Sequence, residues 1–355
     1  MQIKKSSPYL ILGIVGVLFA LAYCFLMVLY LDLPFKVVVI LFMSSASSFI
    51  VIAYLIKVLT GINDHVMLRN FTFCLIINYL VLKWFGAPEL VGLDLFAVGY
   101  GILIMIGRIG CFRVGCCHGK PSRWGITNRK PALPQYYRSS KIFPLQLAES
   151  VGLFFVVAYC TSLLISSEYV EGQVLITYVV LYGLLRFVLE YFRGDLGRRF
   201  LFSVSEAQWT IVLLLAFFWL FSIQYNWPFS LWQKVISIFL FSFLLLTIIL
   251  FHSMKRMRFY HVLHLKELLS LFKPNLSSSE IVVQTTSLGI SVSSDKQSQD
   301  YYYCISSDLI KLNETMIEKV AKLVQTAHFP ASSFRVVNRN GVFHLFFELA
   351  NSSNE

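Results

Sequence analysis

Arg186, Glu190 and Arg193 stand four and three residues apart in Tyr178-Val-Val-Leu-Tyr182-Gly-Leu-Leu-Arg186-Phe-Val-Leu-Glu190-Tyr-Phe-Arg193, a stretch otherwise apolar enough to cross a bilayer. An i, i+4, i+7 spacing puts all three on one helix face. A charge at mid-membrane costs several kcal/mol, roughly 2.5–3.5 on insertion scales, so that face must turn to a polar cavity. Two guanidiniums around a carboxylate suit the binding of an anion. The structural alternative, an ion-pair set that locks helices together, would use the same residues.

A second polar island reads Gly107-Arg108-Ile-Gly110-Cys111-Phe-Arg113-Val-Gly115-Cys116-Cys117-His118-Gly119-Lys120-Pro121. It begins where an apolar run ends, which places Arg108 at the membrane boundary. Its glycines allow the backbone to approach a ligand closely. Arg108, Arg113 and Lys120 offer donors for phosphate, and the planar fork of Arg favours bidentate contact. Downstream, Pro144-Leu-Gln146-Leu-Ala-Glu149 opens another run with an amide and a carboxylate, and Asp94 lies in the run that leads to Arg108. These residues predict a pocket lined by Arg, Glu and Gln near one membrane face. The ligand class that fits is an amphiphile with an anionic head, a phospholipid. Cys111, Cys116, Cys117 and His118 admit three readings: polar pocket lining, a disulfide or vicinal-thiol redox feature, and a zinc site. Zinc ligands are usually spaced in separated pairs, so the crowding favours pocket lining, and no metal or cofactor is expected.

The elements that must position these residues are membrane helices. The 355-residue chain is 57% hydrophobic and 14% charged, where a soluble domain carries about 25% charged residues. Apolar runs near 9–31, 37–59, 70–86, 90–107, 144–166, 172–192, 207–225 and 229–253 approach the roughly 20 residues that a bilayer demands. The fold class is therefore an all-α polytopic membrane protein with seven or eight spans, eight preferred, followed by a small α+β domain. The first run has no small-residue cleavage site after its start and reads as an uncleaved span. Of the formal charge of +11, the excess of Lys and Arg lies in 108–141, in 193–199 and after 254. On the positive-inside rule these connections are cytoplasmic, unless their arginines serve an anionic substrate. Eight spans would put the N-terminus, both basic connections and the tail on one face. Cys24, Cys74 and Cys160 lie in apolar runs and read as small buried hydrophobes.

Three parts follow from the pattern. Residues 1–253 form the membrane domain. Residues 254–279 hold a basic stretch with an apolar stripe and a linker. The stripe would lie on the membrane surface or pack on the domain that follows. Residues 280–355 form a small ββαββ domain, with strands over 281–292 and 301–306, a helix over 312–328, and a hairpin around Asn338-Arg-Asn-Gly341.

Three motifs in register resemble the prolipoprotein diacylglyceryl transferase family. They are Gly107-Arg108-Ile-Gly110-x-Phe with Gly119-Lys120-Pro121, then Pro144-x-Gln146-Leu-x-Glu149, and Tyr182-Gly-Leu-Leu-Arg186-Phe-Val-Leu-Glu190-Tyr-Phe-Arg193-Gly-Asp195, with Gln208-Trp209 opening the next run. They span 94–209, about a third of the chain. The resemblance implies a multi-pass protein of the bacterial inner membrane. It would transfer a diacylglyceryl group from phosphatidylglycerol, or another anionic phospholipid, to the lipobox cysteine of a prolipoprotein signal peptide, with no nucleic-acid partner. It implies that Arg108 and Arg186 bind the phosphate and stabilise the leaving group. Glu190 would hold an arginine by an ion pair, and Arg193 would shape the headgroup site. Asp94, Gly110, Cys111, Cys116, Lys120, Gln146, Glu149 and Tyr182 would complete the substrate site. Cys111 and Cys116 stand where the family pattern has Asn and Glu. Met67-Leu-Arg69-Asn70-Phe stands where it has His-Gly-Gly, and Phe143 replaces the His before the Pro-x-Gln motif. Either His118 or Glu149 takes over thiol activation, or the chain is an altered paralogue that binds anionic phospholipid or uses a different acceptor.

Overall fold

A computed structural model describes residues 8–60, 67–127, 141–194, 200–202, 204–225, 227–253, 259, 262–272, 282–297, 300–307, 312–330, 332–339 and 341–349. Asp195, much of the basic connection before Lys141, and the linker at 274–279 lie outside these residues. The chain divides into two compact units, a helical one that ends at Leu245 and a second that takes in the tail.

Eight helices run in sequence: α1 (Pro8–Tyr30), α2 (Lys36–Thr60), α3 (Met67–Trp84), α4 (Glu89–Val114), α5 (Leu145–Leu164), α6 (Gln173–Phe192), α7 (Glu206–Tyr225) and α8 (Leu231–Ser253). Seven of them are long and apolar enough to span a bilayer. The exception is α3, eighteen residues long and interrupted by Arg69, Asn70, Asn78 and Lys83. Large apolar side chains such as Leu10, Phe19, Ile50 and Phe239 are exposed along α1, α2 and α8, as a hydrocarbon solvent allows and water would not. Short strands β1 (Pro121–Thr127) and β2 (Lys141–Ile142) follow α4, and β3 (Phe200–Leu201) pairs with β4 (Val204–Ser205) in front of α7.

α4 is the centre of this unit, packed on α1, α3, α5 and α6. Small residues let it come close to α1. A Cβ on Gly110 would sit 3.2 Å from Tyr9 Cα, and one on Gly16 would sit 3.1 Å from Leu103 O. This is the close backbone approach through which membrane helices gain contact without a hydrophobic driving force. Polar side chains tie α2 to α3: Asn78 Nδ2 donates to Ser45 Oγ at 3.0 Å, and Ser44 Oγ donates to Asn78 Oδ1.

Asp94 performs a similar task between α4 and α6. Its carboxylate accepts from Gly172 N (2.7 Å), Leu175 N (2.6 Å) and Tyr169 OH (2.5 Å). Gly172 is the N-cap of α6, at φ 81. Asp94 therefore caps a neighbouring helix, satisfying N–H groups that a helix start leaves without partners and countering its positive dipole end.

The second unit holds α9 (Val262–Leu271), α10 (Glu314–His328) and one antiparallel sheet, in order β5 (Val282–Thr285), β6 (Ile290–Gln297), β7 (Asp300–Ser307), β9 (Val342–Leu349) and β8 (Ser332–Arg339). The expected single strand over 281–292 is instead two, broken by a turn with Gly289 at φ 72. The expected hairpin forms, with Asn338 Oδ1 accepting from Gly341 N across the turn. Asn313 caps α10 by accepting from Met316 N. Ile317, Val320 and Val324 of α10 face Tyr303, Ile305, Phe343, Leu345 and Phe347 of the sheet. Phe259, Leu268 and Phe272 belong to that same core. The apolar stripe before the linker thus packs on the following domain rather than lying on a membrane. His264 is buried with it, bonded to Phe259 O and Thr286 Oγ1.

Candidate functional site

Three helices of the membrane unit converge on one row of alternating charges. Arg108, near the C-terminal end of α4, places Nε 2.9 Å from Glu149 Oε2, on the first turns of α5. Arg186 Nη1 approaches the same oxygen at 3.5 Å, and its Nη2 lies 2.9 Å from Glu190 Oε2, one turn along α6. Arg193, the residue that ends α6, reaches Glu190 Oε2 at 3.6 Å. Glu149 has no exposed surface and also accepts from Tyr182 OH at 3.0 Å. A lone charge at such a depth would be prohibitive; pairing each with the opposite sign makes the burial tolerable. Among the described residues the row gathers three guanidiniums and two carboxylates. Arg108 Nε and Arg186 Nη1 meet Glu149 as ion partners without hydrogen-bond geometry. They keep donor capacity that a buried anion would use.

This row forms the polar end of a cavity of about 860 Å³, to which Arg108, Tyr182, Arg186, Glu190 and Arg193 contribute. The remaining wall is mainly apolar, from α1, α2 and α4, including Leu18, Leu41, Phe49, Phe96 and Leu103. A mainly apolar chamber with guanidiniums at its polar end suits an amphiphile with an anionic head.

The cysteine segment closes the same end. α4 stops at Gly115, in the left-handed conformation at φ 89, whose N–H bonds Cys111 O. Cys117 is also left-handed, at φ 51, a conformation that costs a non-glycine residue about 1–2 kcal/mol. The chain then runs beside the start of α5 and the end of α6: Lys120 N donates to Phe192 O, Gly194 N to His118 O, and Phe143 N to Lys120 O, at 2.8–3.0 Å. Glycine is required here, because a Cβ on Gly119 would sit 2.4 Å from Phe143 O. Gln146 fixes the loop by donating Nε2 to Cys116 O at 2.6 Å. The turn brings the sulfurs of Cys111, Cys116 and Cys117 within 4.8 Å of one another, and Cys111 and Cys117 face the cavity. Hydrogen bonds from the Cys111 and Cys116 thiols hold the Cys117 thiol well below its ordinary range, and Arg108 and Arg193 add to the effect.

Most of the residues singled out from sequence meet here. Arg108, Cys111, Tyr182, Arg186, Glu190 and Arg193 line the cavity, with Glu149 behind them. Gln146 and Cys116 shape the loop. Gly110 instead packs on α1. His118, expected as catalytic, is buried in the loop with Nδ1 on Gly119 O, and Lys120 enters through its backbone. Asp94 stands apart from the row. It lies fourteen residues before Arg108 on α4, about 21 Å along the axis, and its carboxylate is engaged at the opposite end of α6. Sequence reasoning missed the Arg69–Glu206 ion pair at 2.8 Å, whose Glu206 also lines the cavity. A charge at the start of each of two apolar runs was the available signal.

Comparison with known proteins gives a consistent result. Residues 70–225 match the family model described as prolipoprotein diacylglyceryl transferase. Over 119 residues the chain is 34% identical to a protein of Clostridium tetani named phosphatidylglycerol–prolipoprotein diacylglyceryl transferase, an alignment covering 33% of this chain and 47% of that protein. The chain thus spans about half the length of the curated relative it matches. No solved structure matches. The family resemblance drawn from the motifs is borne out over the segment that builds the site.

Proposed function

We propose that this chain is a membrane transferase that moves a diacylglyceryl group from phosphatidylglycerol to a thiol, that of a prolipoprotein lipobox cysteine, in the bacterial inner membrane. The observation that carries the reading is the buried row Arg108–Glu149–Arg186–Glu190–Arg193 at the polar end of an apolar cavity. A phosphodiester head supplies one negative charge, and its two acyl chains need such a chamber. In the reaction the acceptor sulfur attacks the glyceryl carbon that bears the phosphoester oxygen. The sulfur–carbon bond forms, the carbon–oxygen bond breaks, the electron pair leaves on glycerol phosphate, and the thiol proton passes to solvent or to the released phosphate. Charge grows on that phosphate, and guanidiniums already fixed in a water-poor site stabilise it without reorganising. Glu149 and Glu190 hold Arg108 and Arg186 in place. The relative from Clostridium tetani bears the name of this activity, and that supports the donor and the acceptor class.

A second reading rests on Met67–Phe71, where no histidine stands at the position of the family's His-Gly-Gly: an altered paralogue that binds anionic phospholipid or serves another acceptor. One experiment separates the two. The purified full chain is incubated with phosphatidylglycerol and a lipobox peptide, following glycerol phosphate release and peptide mass, with Arg186→Ala as control. A peptide that gains the diacylglyceryl mass with wild type and not with the variant supports transfer. Retained phosphatidylglycerol without peptide modification overturns it in favour of the second reading.

A further inference from the structure

The geometry points to a metal site: Cys111, Cys116 and Cys117 form a three-thiolate seat for one zinc-class divalent ion, whose open fourth position takes the acceptor thiol. This rests on the transferase reading for the identity of the fourth ligand, but not for the site itself.

Three sulfurs, one from the last turn of α4 and two from the loop that follows it, lie within 4.8 Å of one another. Tetrahedral zinc with Zn–S bonds near 2.3 Å requires sulfurs about 3.8 Å apart, so the side chains need to close by an ångström or less. The backbone is already bent for it. Gly115 and Cys117 are both left-handed, which reverses the chain over three residues and returns Cys116 and Cys117 toward Cys111 at the end of α4. The Gln146 amide holds Cys116 O from α5. A strained non-glycine residue at a clamp is what a ligand seat would need and simple pocket lining would not. The charges agree as well. Three thiolates around a divalent ion carry one negative charge, and the cations that act on Cys117 are Arg108 and Arg193.

Three protein ligands with one open position are the pattern of catalytic zinc, whereas structural sites are closed by four. The open position would face the cavity, because Cys111 and Cys117 line it together with Arg108 and Arg186. An acceptor thiol that binds there gives its proton to solvent and remains as a metal-held thiolate. Its sulfur then displaces glycerol phosphate from the donor as described above, with no change in the oxidation state of metal or sulfur. This assigns thiol activation to the cysteine loop. Glu149 is engaged otherwise, held by Arg108, Arg186 and Tyr182, and His118 is buried in the loop with Nδ1 on Gly119 O.

The test uses the full chain in detergent, reduced and stripped of metal, then titrated with Zn²⁺ against a chromogenic chelator and separately with Co²⁺. The expected result is one equivalent bound, with the sulfur-to-cobalt charge-transfer and visible bands of a tetrahedral thiolate site. Cys111→Ser, Cys116→Ser and Cys117→Ser should each weaken binding at least a hundredfold. A lipobox peptide should perturb the cobalt bands, while its Cys→Ser analogue leaves them unchanged. The cobalt spectrum of wild-type protein tests the seat even if a variant folds poorly. Failure to hold either ion, or recovery of two of the three cysteines as a disulfide from protein purified without reductant, overturns the site. Cobalt bands indifferent to the peptide thiol, or full transfer by metal-stripped protein, overturns the role in activation. A peptide-responsive metal without transfer from phosphatidylglycerol supports the site and counts against the transferase reading instead.

Discussion

Glu149 on α5 lies 2.9 Å from Arg108 on α4, with no surface of its own, and it shares the contacting oxygen with Arg186 of α6. One carboxylate therefore joins three helices and fixes two cations at the polar end of an apolar chamber. Glu149→Gln keeps the shape and an acceptor for Tyr182 but leaves two buried guanidiniums without their shared counter-charge. Breaking a buried pair from one side costs about 3–5 kcal/mol. The variant should show a clear fall in the thermal midpoint in detergent together with loss of transfer. Unchanged stability would mean that solvent or lipid already compensates the arginines.

Arg186→Lys addresses catalysis more than folding. The ammonium can still pair with Glu190 but cannot span Glu149 and Glu190 and still donate to a phosphate oxygen. Loss of a fixed donor to a developing oxyanion lowers kcat by about 10²–10³. The expected outcome is a fall of that size in kcat for phosphatidylglycerol with the thermal midpoint little changed. A variant with wild-type turnover would remove Arg186 from the chemistry and leave it a helix-locking role.

Asp94→Ala should do the reverse. The carboxylate serves Gly172 N, Leu175 N and Tyr169 OH at the start of α6. Losing a cap and stranding buried donors costs about 1–3 kcal/mol. KM for phosphatidylglycerol should stay within about twofold, since Arg108 stands about 21 Å away along α4. A large rise in KM with normal stability would restore Asp94 to the headgroup site.

The contrast between Asp94 and Arg186 shows what the sequence could reveal. Arg186, Glu190 and Arg193 were legible because helix period and membrane cost together leave one place for them, a shared polar face. Arg108 was legible because its motif sits where an apolar run ends. Asp94 carried the same cost signal, but the price of burying a charge does not say whether backbone or ligand satisfies it. That depends on α6 starting beside α4, a tertiary fact. The cysteines were obscured for another reason. Ligand spacing rules describe regular loops, and here two left-handed residues, Gly115 and Cys117, fold a crowded sequence onto itself. In the tail, Asn338 and Gly341 announced their hairpin through turn chemistry. The turn before Ile290 was missed because Thr286-Ser287-Leu288-Gly289 sits inside a strand-forming stretch rich in β-branched residues.

Phe272→Ala tests the placement of the segment before the linker. Phe272 has no exposed surface, packs at a tilt against Tyr303 of β7 with ring centroids 4.9 Å apart, and shares its core with Phe259 and Leu268. Removing a buried phenyl ring from a packed core costs about 3–5 kcal/mol, a large share of what a domain of this size can hold. The tail of the full-length variant should become sensitive to limited proteolysis at temperatures where wild type resists, with fragments mapping beyond residue 280. Had the stripe lain on the membrane surface, its phenylalanine would contribute to lipid contact and the sheet would stand without it. A tail as resistant as wild type would support that surface location and separate Phe272 from the sheet.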